Sequence, residues 1–356
     1  MKGFKSFSFE HGMNLPLEDI TVLLGANGSG KSNIISFFQM LSAMLEENLQ
    51  NYIARMGTSE LYLHYGVKKT KNMEFELNLS QGEDERVYAC HMAYAIPDSL
   101  IIEGEYLDIN DIYTGLNRYN VKETVFWKGE YDEEKNQVYK FLHGFKIFQF
   151  QDTSIESAMR LPSNKYQTDY LQGNGGNIAA YLYYLKNEYY EYYARIVGYI
   201  REIMPQFGDF YLQPNAAGYI MLKWKDNSSN DYIMLPQQLS DGTLRFIALT
   251  TLLLQPAEKL PSLIILDEPE LGLHPSAINQ LAEMVKQASR YTQVILATQS
   301  PQLADEFDAK NIAVVERDEY LQCTTVHKLD EERLKEWLEE YTISELWNKN
   351  VIGGKP

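Results

Sequence analysis

A glycine-rich stretch at residues 25–32, with the letters GANGSGKS, has the residue types and spacing best suited to chemistry. It fits the pattern G-x-x-x-x-G-K-[ST], in which backbone N–H groups wrap around phosphate oxygens at the start of a helix. In that pattern Lys31 reaches the β- and γ-phosphates, and the Ser32 hydroxyl holds Mg²⁺. We therefore predict nucleotide contacts from Gly25, Ala26, Asn27, Gly28, Ser29, Gly30, Lys31, Ser32 and Asn33.

Two adjacent carboxylates, Asp267 and Glu268, follow an apolar stretch at residues 263–266 that is typical of a strand buried on both faces. Asp267 is predicted to hold Mg²⁺ through water, and Glu268 to orient or deprotonate an attacking water. The alternative is a strand that ends in a solvated acidic turn. The phosphate-binding pattern at residues 25–32 favours the catalytic interpretation.

A third motif, Leu-Ser-Asp-Gly-Thr at residues 239–243, stands directly before an apolar helix. The Ser240 hydroxyl, the small Gly242 and the positive end of the helix dipole would together form an anion site. Ser240 also has the residue type of an ordinary helix N-cap. The two roles are compatible, because a capping serine can also donate to an anion.

Three glutamines complete the candidate site. Gln299 comes two residues after the strand predicted at 292–297, in the letters TQSP. Gln149 and Gln151 lie two residues apart, so an extended chain would point both side chains to one face. The alternatives are a glutamine that merely caps a strand at position 299 and an ordinary strand at residues 145–150.

Hydrophobic periodicity predicts the elements that must position these residues. Strands are expected at 4–9, 20–24, 262–266, 292–297 and 311–316, and helices at 32–48, 176–204, 241–254, 276–289 and 330–340. Further β-like runs at 73–80, 86–95, 99–106, 121–128 and 145–150 predict an antiparallel β region. The alternation of helix and strand after residue 240 predicts a parallel sheet.

Composition excludes several classes of protein. Hydrophobic residues make up 45% and charged residues 23%, and no run of eighteen apolar residues or secretory signal is present, so we expect a cytoplasmic protein. The net charge of −17 argues against a broad basic surface for nucleic acid, although a local basic groove stays open. Cys90 and Cys323 are expected to be buried thiols.

Two clusters allow more than one interpretation. The tyrosine-rich segment 176–204 could stack bases, but few basic residues interleave with the rings, which favours helix packing. The Lys-Lys-Thr-Lys run at 68–71 could touch nucleic acid, although a charged hairpin turn is favoured.

Together these motifs resemble those of ATP-binding-cassette (ABC) ATPases. The run DEPELGLHP at 267–275 is similar to the non-transporter branch, which includes OLD-type (overcoming lysogenization defect) ATPases and relatives of the SMC and RecF proteins. The chain also resembles a bacterial family of “predicted ATPases”, and this resemblance extends over residues 1–32, 57–66, 148–154, 173–180 and 239–356.

The resemblance implies an α/β fold: an ABC-type P-loop ATPase with a mixed central sheet, an antiparallel β subdomain and a helical signature lobe. Residues 1–165 and 255–356 would form nucleotide-binding lobe I, with a β-rich insertion at about 58–150. Residues 166–254 would form helical lobe II, which carries the signature motif at 239–243.

In that family Ser240 and Gly242 would meet the γ-phosphate of an ATP held by the opposite subunit, with Asp241 between them as part of the same nucleotide-binding motif, and His274 would lie at the dimer interface. Gln149 or Gln151 would be the Q-loop residue. Gln299 stands where related ATPases carry a switch histidine, which puts the rate of hydrolysis in doubt.

The implied function is an ATPase that uses ATP and Mg²⁺, forms a homodimer through ATP and does not act at a membrane. As a hydrolysis-driven switch it would control an effector protein such as a nuclease in DNA repair or antiphage defence. One alternative is the nucleotide-binding subunit of a transporter, which the DEPELGLHP variant disfavours. Another, motivated by Gln299, is a scaffold that binds ATP with little turnover.

Overall fold

The computed structural model describes residues 1–81, 84–110, 112–116, 120–126 and 133–354. The strands are β1 (Ile20–Leu24), β2 (Asn72–Gln81), β3 (Asp84–Ala95), β4 (Ser99–Ile109), β5 (Ile112–Gly115), β6 (Phe145–Phe148), β7 (Ser163–Asn164), β8 (Phe207–Tyr211), β9 (Tyr219–Ile220), β10 (Lys223–Asp226), β11 (Ser229–Met234), β12 (Leu263–Asp267), β13 (Gln293–Thr298), β14 (Ile312–Asp318) and β15 (Cys323–Lys328).

The helices are α1 (Lys31–Leu45), α2 (Leu49–Met56), α3 (Glu133–His143), α4 (Ile178–Glu188), α5 (Tyr190–Ile203), α6 (Asp241–Leu253), α7 (Pro275–Ala288), α8 (Pro301–Ala304), α9 (Glu331–Leu338) and α10 (Ile343–Asn348). Short 3₁₀ turns occupy Ser59–Tyr62, Ala158–Arg160, Pro236–Gln238, Ala257–Lys259 and Ala309–Asn311.

A six-stranded sheet in the order β15-β14-β1-β13-β12-β6 forms the centre of the fold. Its strands pair in parallel except for β15, which runs antiparallel to β14 at one edge. The predicted mixed central sheet is therefore confirmed. Because the parallel strands share one direction, the carboxyl ends of β1, β13, β12 and β6 meet at the same edge.

Alternate residues of the central strands enter two separate cores. On one face Val22 and Leu24 of β1 pack in a cluster that includes residues of α4, α5, α6 and α7. On the other face Leu23 packs with residues of α1 and of β2, β3 and β4. Burial on both faces explains why β1 and β12 are almost continuously apolar.

Three smaller antiparallel sheets complete the architecture: β2-β3-β4-β5, β8-β10-β11 and β7-β9. The first corresponds to the antiparallel β region expected from the sequence. The second lies between the helices predicted at 176–204 and 241–254, in the lobe expected to be helical, where no strand was predicted. A strand of four residues such as Lys223–Asp226 is too short for its alternation of polar and apolar residues to be recognised.

Several predicted strands were wrong. Residues 4–9 form only a bridge from Phe4 to Leu63 followed by a turn, because Lys5 adopts φ 45° and brings Phe4 and Phe7 into the same core. Residues 121–126 make only a bridge from Val121 to Ile102, and 127–128 lie outside the described residues. The run at 145–150 yields β6, which pairs in parallel with β12 and belongs to the central sheet instead of the antiparallel region.

The single helix predicted at 176–204 is two helices, α4 and α5, which meet at Tyr189. Tyr181 and Tyr193 are buried in the core, which supports the interpretation of this segment as packed helices. The lysine run at 68–71 forms a turn before β2, and Lys69 lies over the ring of Tyr65.

Both cysteines are buried and unpaired, as expected. None of the helices in the described ranges has the length and apolar character needed to cross a bilayer.

Candidate functional site

The predicted chemical residues stand in a row along the carboxyl edge of the central sheet. In the sheet register Leu24 is opposite Thr298, Ala297 is opposite Asp267, and Leu266 is opposite Phe148. Neighbouring strands lie about 4.8 Å apart. The loop after β1 is thus followed along the edge by Gln299, by the Asp267–Glu268 pair and by Gln149, which are far apart in sequence.

Lys31 is held inside the loop at residues 25–32, called here the P-loop. Its Nζ donates to the carbonyl oxygens of Gly25, at 2.6 Å, and Ala26, at 3.0 Å. Burial lowers the pKa of Lys31, an effect partly opposed by the nearby carboxylates of Glu268 and Asp267. The loop therefore holds a desolvated cation facing the acidic pair.

Close backbone contacts fix the shape of the P-loop. A Cβ on Gly25 would lie 2.2 Å from the carbonyl oxygen of Val315, and one on Gly30, at φ 118°, would lie 2.4 Å from Thr324 Oγ1. Thr324 Oγ1 also donates to the carbonyl oxygen of Ser29 at 2.8 Å. By contrast, Gly28 has open space where a Cβ would be. One side of the loop is thus packed against β14 and β15, and the other is free for a ligand.

The acidic pair is held in position by its neighbours. Gln149 Nε2 donates to Asp267 Oδ2 at 3.2 Å, and Gln151 Nε2 donates to the Asp267 carbonyl oxygen at 3.3 Å. Glu268 has φ 44°, and its N–H donates to the carbonyl oxygen of Ala297 at 2.8 Å. Left-handed backbone at a non-glycine residue is costly and concentrates at functional sites.

Glu270 is buried close to this pair, and no motif predicted a role for it. Thr298 Oγ1 donates to Glu270 Oε1 at 2.5 Å and accepts from the Ser300 N–H at 2.9 Å. The buried carboxyl therefore fixes the two residues on either side of Gln299. Burial, together with the neighbouring carboxylates of Glu268 and Asp267, raises the pKa of Glu270.

We expect Glu270→Ala to reduce ATP turnover about tenfold, because loss of one hydrogen bond loosens the Gln299 turn. Glu270→Gln keeps an acceptor oxygen for Thr298 and should retain most of the activity. A raised folded-state pKa means that the unfolding free energy falls as pH rises above the ordinary carboxyl range. Wild type should show this fall in denaturant titrations as pH rises above the ordinary carboxyl range, and Glu270→Gln should show less of it. Equal turnover in all three proteins would exclude the positioning role.

The signature residues lie at the start of α6. Ser240 is the N-cap, and its Oγ accepts from the Thr243 N–H at 3.2 Å. Both Ser240 and Asp241 are exposed. A Cβ on Gly242 would lie 2.4 Å from the carbonyl oxygen of Gly272, so glycine is required where α6 approaches the 270–273 loop. His274 caps α7, its Nδ1 accepting from the Ser276 N–H at 3.3 Å.

Two buried arginines connect the signature at residues 239–243 to the chain that carries Gln149 and Gln151, and no motif spacing indicated either arginine. Arg245, on α6, donates to the carbonyl oxygens of Phe150 at 3.0 Å and Gln151 at 3.1 Å, and also to that of Leu271. Arg160 donates to the Thr153 carbonyl oxygen at 2.9 Å and to Asp241 Oδ1 at 3.0 Å.

The structure thus divides the predicted site residues into two groups. The P-loop, Gln149, Gln151, Asp267, Glu268 and Gln299 share the sheet edge, whereas Ser240, Asp241 and Gly242 surround the start of α6. Among the hydrogen bonds of the described residues, none joins 25–33 to 239–243.

The residues present fit a Mg²⁺ ion that is bound together with nucleotide. No group of three or more His, Cys, Asp or Glu side chains capable of holding a metal occurs in the described ranges. Mg²⁺ is usually held by one or two protein oxygens plus phosphates and water. The exposed Ser32 hydroxyl and the half-buried Asp267 carboxylate supply oxygens of that kind.

Comparison with known proteins supports the same fold. Residues 20–305 match the family described as “AAA domain, putative AbiEii toxin, Type IV TA system”. No curated protein matches the sequence. The chain is similar to the SMC head bound to the C-terminal winged-helix domain of ScpA, with TM-score 0.63, 16% identity, and 94% of this chain and 97% of that one covered.

A second similar structure is an SMC head domain with an extended coiled coil, bound to the C-terminal domain of ScpA derived from Pyrococcus furiosus. It has TM-score 0.54 and 16% identity, and 95% of this chain and 97% of that one are covered. At 16% identity, these two comparisons show that the chain shares the fold of SMC head domains.

Proposed function

The chain belongs to the AAA-domain family that matches residues 20–305, and from this premise we propose that it binds ATP with Mg²⁺ and hydrolyses the γ-phosphate bond. The observation that carries the proposal is the register of the central sheet. It brings a phosphate-binding loop, a carboxylate pair and a glutamine to adjacent strand ends. That arrangement can place an attacking water on the side of the γ-phosphorus opposite the oxygen that leaves with ADP.

In this proposal each residue has a separate task. The P-loop backbone and Lys31 bind the phosphates, and Ser32 and Asp267 hold Mg²⁺, which would neutralise charge on the phosphate oxygens. Glu268 accepts a proton from the attacking water. Gln149 orients Asp267, with which it already shares a hydrogen bond. Gln299 contacts the γ-phosphate by hydrogen bonding alone, since its amide stays neutral.

We also propose that two copies pair around ATP. Ser240 is exposed, as is Asp241 beside it, and among the hydrogen bonds of the described residues neither is joined to the P-loop of its own chain. The Ser240 hydroxyl is therefore available to a γ-phosphate bound by a second copy. Large apolar side chains are exposed on segments next to the signature: Leu161, which follows the Arg160 that binds Asp241; Leu235, five residues before Ser240; and Leu271, whose carbonyl oxygen accepts from Arg245 of α6. Exposed apolar groups of this kind favour burial against a partner. His274 would lie at that interface.

We further propose that closure and release of this dimer control an effector protein in trans, such as a nuclease in DNA repair or antiphage defence. The two SMC heads similar in fold are each bound to a domain of another protein, which shows that such a fold can carry a partner. Whether nucleic acid also binds stays an open question.

We propose that the chain moves as two lobes during closure. Residues 166–254 would form one lobe, which carries the signature, and residues 1–165 together with 255–356 would form the other.

Purified protein with ATP and MgCl₂ tests the core of the proposal. We expect saturable binding of a fluorescent ATP analogue and steady release of phosphate, both reduced by EDTA. GTP and a heat-inactivated sample serve as comparisons for specificity and background. Absence of nucleotide binding at millimolar ATP would overturn the proposal.

Gln299 supports a second candidate function, a scaffold that holds ATP with little turnover. A histidine at this position could share a proton, whereas glutamine cannot. Saturable ATP binding with phosphate release no faster than in buffer would favour the scaffold.

A further inference from the structure

Residues 352–354 make an unexpected contact with the first turn of the P-loop. The Ala26 N–H donates to the carbonyl oxygen of Gly354 at 3.3 Å. Gly354 is buried, and a Cβ on it would lie 2.5 Å from Val314 Cγ1 and 3.8 Å from the Leu24 carbonyl oxygen. Gly354 therefore lies directly against the point where β1 becomes the P-loop.

This segment is held firmly from its other side. Glu316 Oε2 accepts from the Gly354 N–H at 2.9 Å, and His327 Nε2 lies 3.2 Å from the Ile352 carbonyl oxygen. Ile352 is 5% exposed. Gly353 and Gly354 have φ 74° and 75°, a backbone conformation that favours glycine. The segment is thus shaped to place one carbonyl oxygen at the P-loop.

The contacts form a closed ring around the start of the loop. Val315 packs on Gly25, the next residue Glu316 binds Gly354, and Gly354 accepts from Ala26, which follows Gly25. The carbonyl oxygens of Gly25 and Ala26 are the two that hold Lys31 Nζ. The orientation of these two peptides therefore depends on the ring, and the position of Lys31 depends on the two peptides.

We propose that the segment Ile352–Gly354, anchored by Glu316, is a positioning element of the nucleotide site that sets the affinity of the P-loop for ATP. The inference rests on the proposed function, because it concerns how the same loop binds phosphate. Gly354 and Glu316 act through Ala26 and Lys31. Loss of either residue should raise the dissociation constant for ATP, while the rate at which bound ATP is hydrolysed changes little.

The test compares Gly354→Ala with Gly218→Ala. Both glycines have similar backbone angles, φ 75° and 80°, but a Cβ on Gly218 would meet nothing nearer than Lys165 Cε at 3.7 Å. Gly354→Ala should weaken binding of a fluorescent ATP analogue about fivefold, the effect of one lost hydrogen bond, while Gly218→Ala leaves it unchanged. Thermal melts without nucleotide show whether both variants are folded.

Glu316 gives an independent test that introduces no backbone strain. Glu316→Gln keeps an oxygen that can accept from the Gly354 N–H, whereas Glu316→Ala does not. We expect weakened ATP affinity in the alanine variant and near-normal affinity in the glutamine variant. Unchanged affinity in both Gly354→Ala and Glu316→Ala, with wild type binding ATP, would overturn the positioning role alone. Failure of wild type to bind ATP would instead overturn the proposed function.

Discussion

Replacement of Glu268 by glutamine is expected to lower the rate of phosphate release about 1000-fold while ATP still binds. Glu268 follows directly on Asp267 at the end of β12, and its φ of 44° turns the chain at the sheet edge beside the P-loop. Glutamine can still hydrogen bond to a water but cannot take its proton. Steady-state phosphate release and binding of a fluorescent ATP analogue measure the two effects separately.

Two variants show whether the loss is specific to the proposed base. Glu283→Gln makes the same charge change at an exposed position on α7 and should leave the rate unchanged. Lys31→Ala should instead abolish binding, because it removes the cation held inside the P-loop. Equal hydrolysis by wild type and Glu268→Gln would remove Glu268 from the role of base.

Motifs made of consecutive residues were the part of the site that the sequence could predict. The P-loop needs closely spaced glycines followed by Lys31, and the acidic pair needs an apolar strand before it, so each leaves a local pattern. The structure places both where those patterns require, at the ends of β1 and β12. Their roles in catalysis stay predictions.

Contacts between distant residues left no such pattern. Parallel pairing of β6 with β12 joins residues more than a hundred positions apart, and the sequence placed β6 in the wrong sheet. Arg245 lies within an apolar helix, where an isolated arginine has no spacing that reveals its three carbonyl partners. Likewise, the contact of Gly354 with Ala26 depends on the ring formed through Glu316, and sequence separation hides it.

The largest structural effect is expected for the ATP-dependent pairing of two copies into a dimer. Glu268→Gln with ATP and MgCl₂ should accumulate a tight dimer, because ATP that is not hydrolysed keeps each γ-phosphate in contact with the signature of the other copy. A two-fold interface uses the same surface on both copies, so both sites close together. Light scattering of the variant with ATP, with ADP and without nucleotide measures the population of dimer.

Ser240→Arg in the Glu268→Gln protein should prevent this closure and leave ATP binding intact. Ser240 is exposed at the N-terminus of α6, where a long side chain would fill the space for a phosphate without disturbing its own P-loop. Ser228→Arg adds the same charge at an exposed turn between β10 and β11 and serves as the matched control. A dimer that persists in Ser240→Arg would mean that the signature does not close the site.

Because a dimer held at another surface could hide closure in a size measurement, cross-linking should report it directly. Cysteines can be introduced at the exposed positions Asn27, in the P-loop, and Gln237, just before the signature, since both native cysteines are buried. In the Glu268→Gln protein a short bis-maleimide should join Asn27→Cys of one copy to Gln237→Cys of the other with ATP, and not with ADP. Mixing two proteins that each carry only one introduced cysteine shows that the product is intermolecular. Equal cross-linking with and without ATP, or none while ATP still binds, would show that the two copies do not share a composite site.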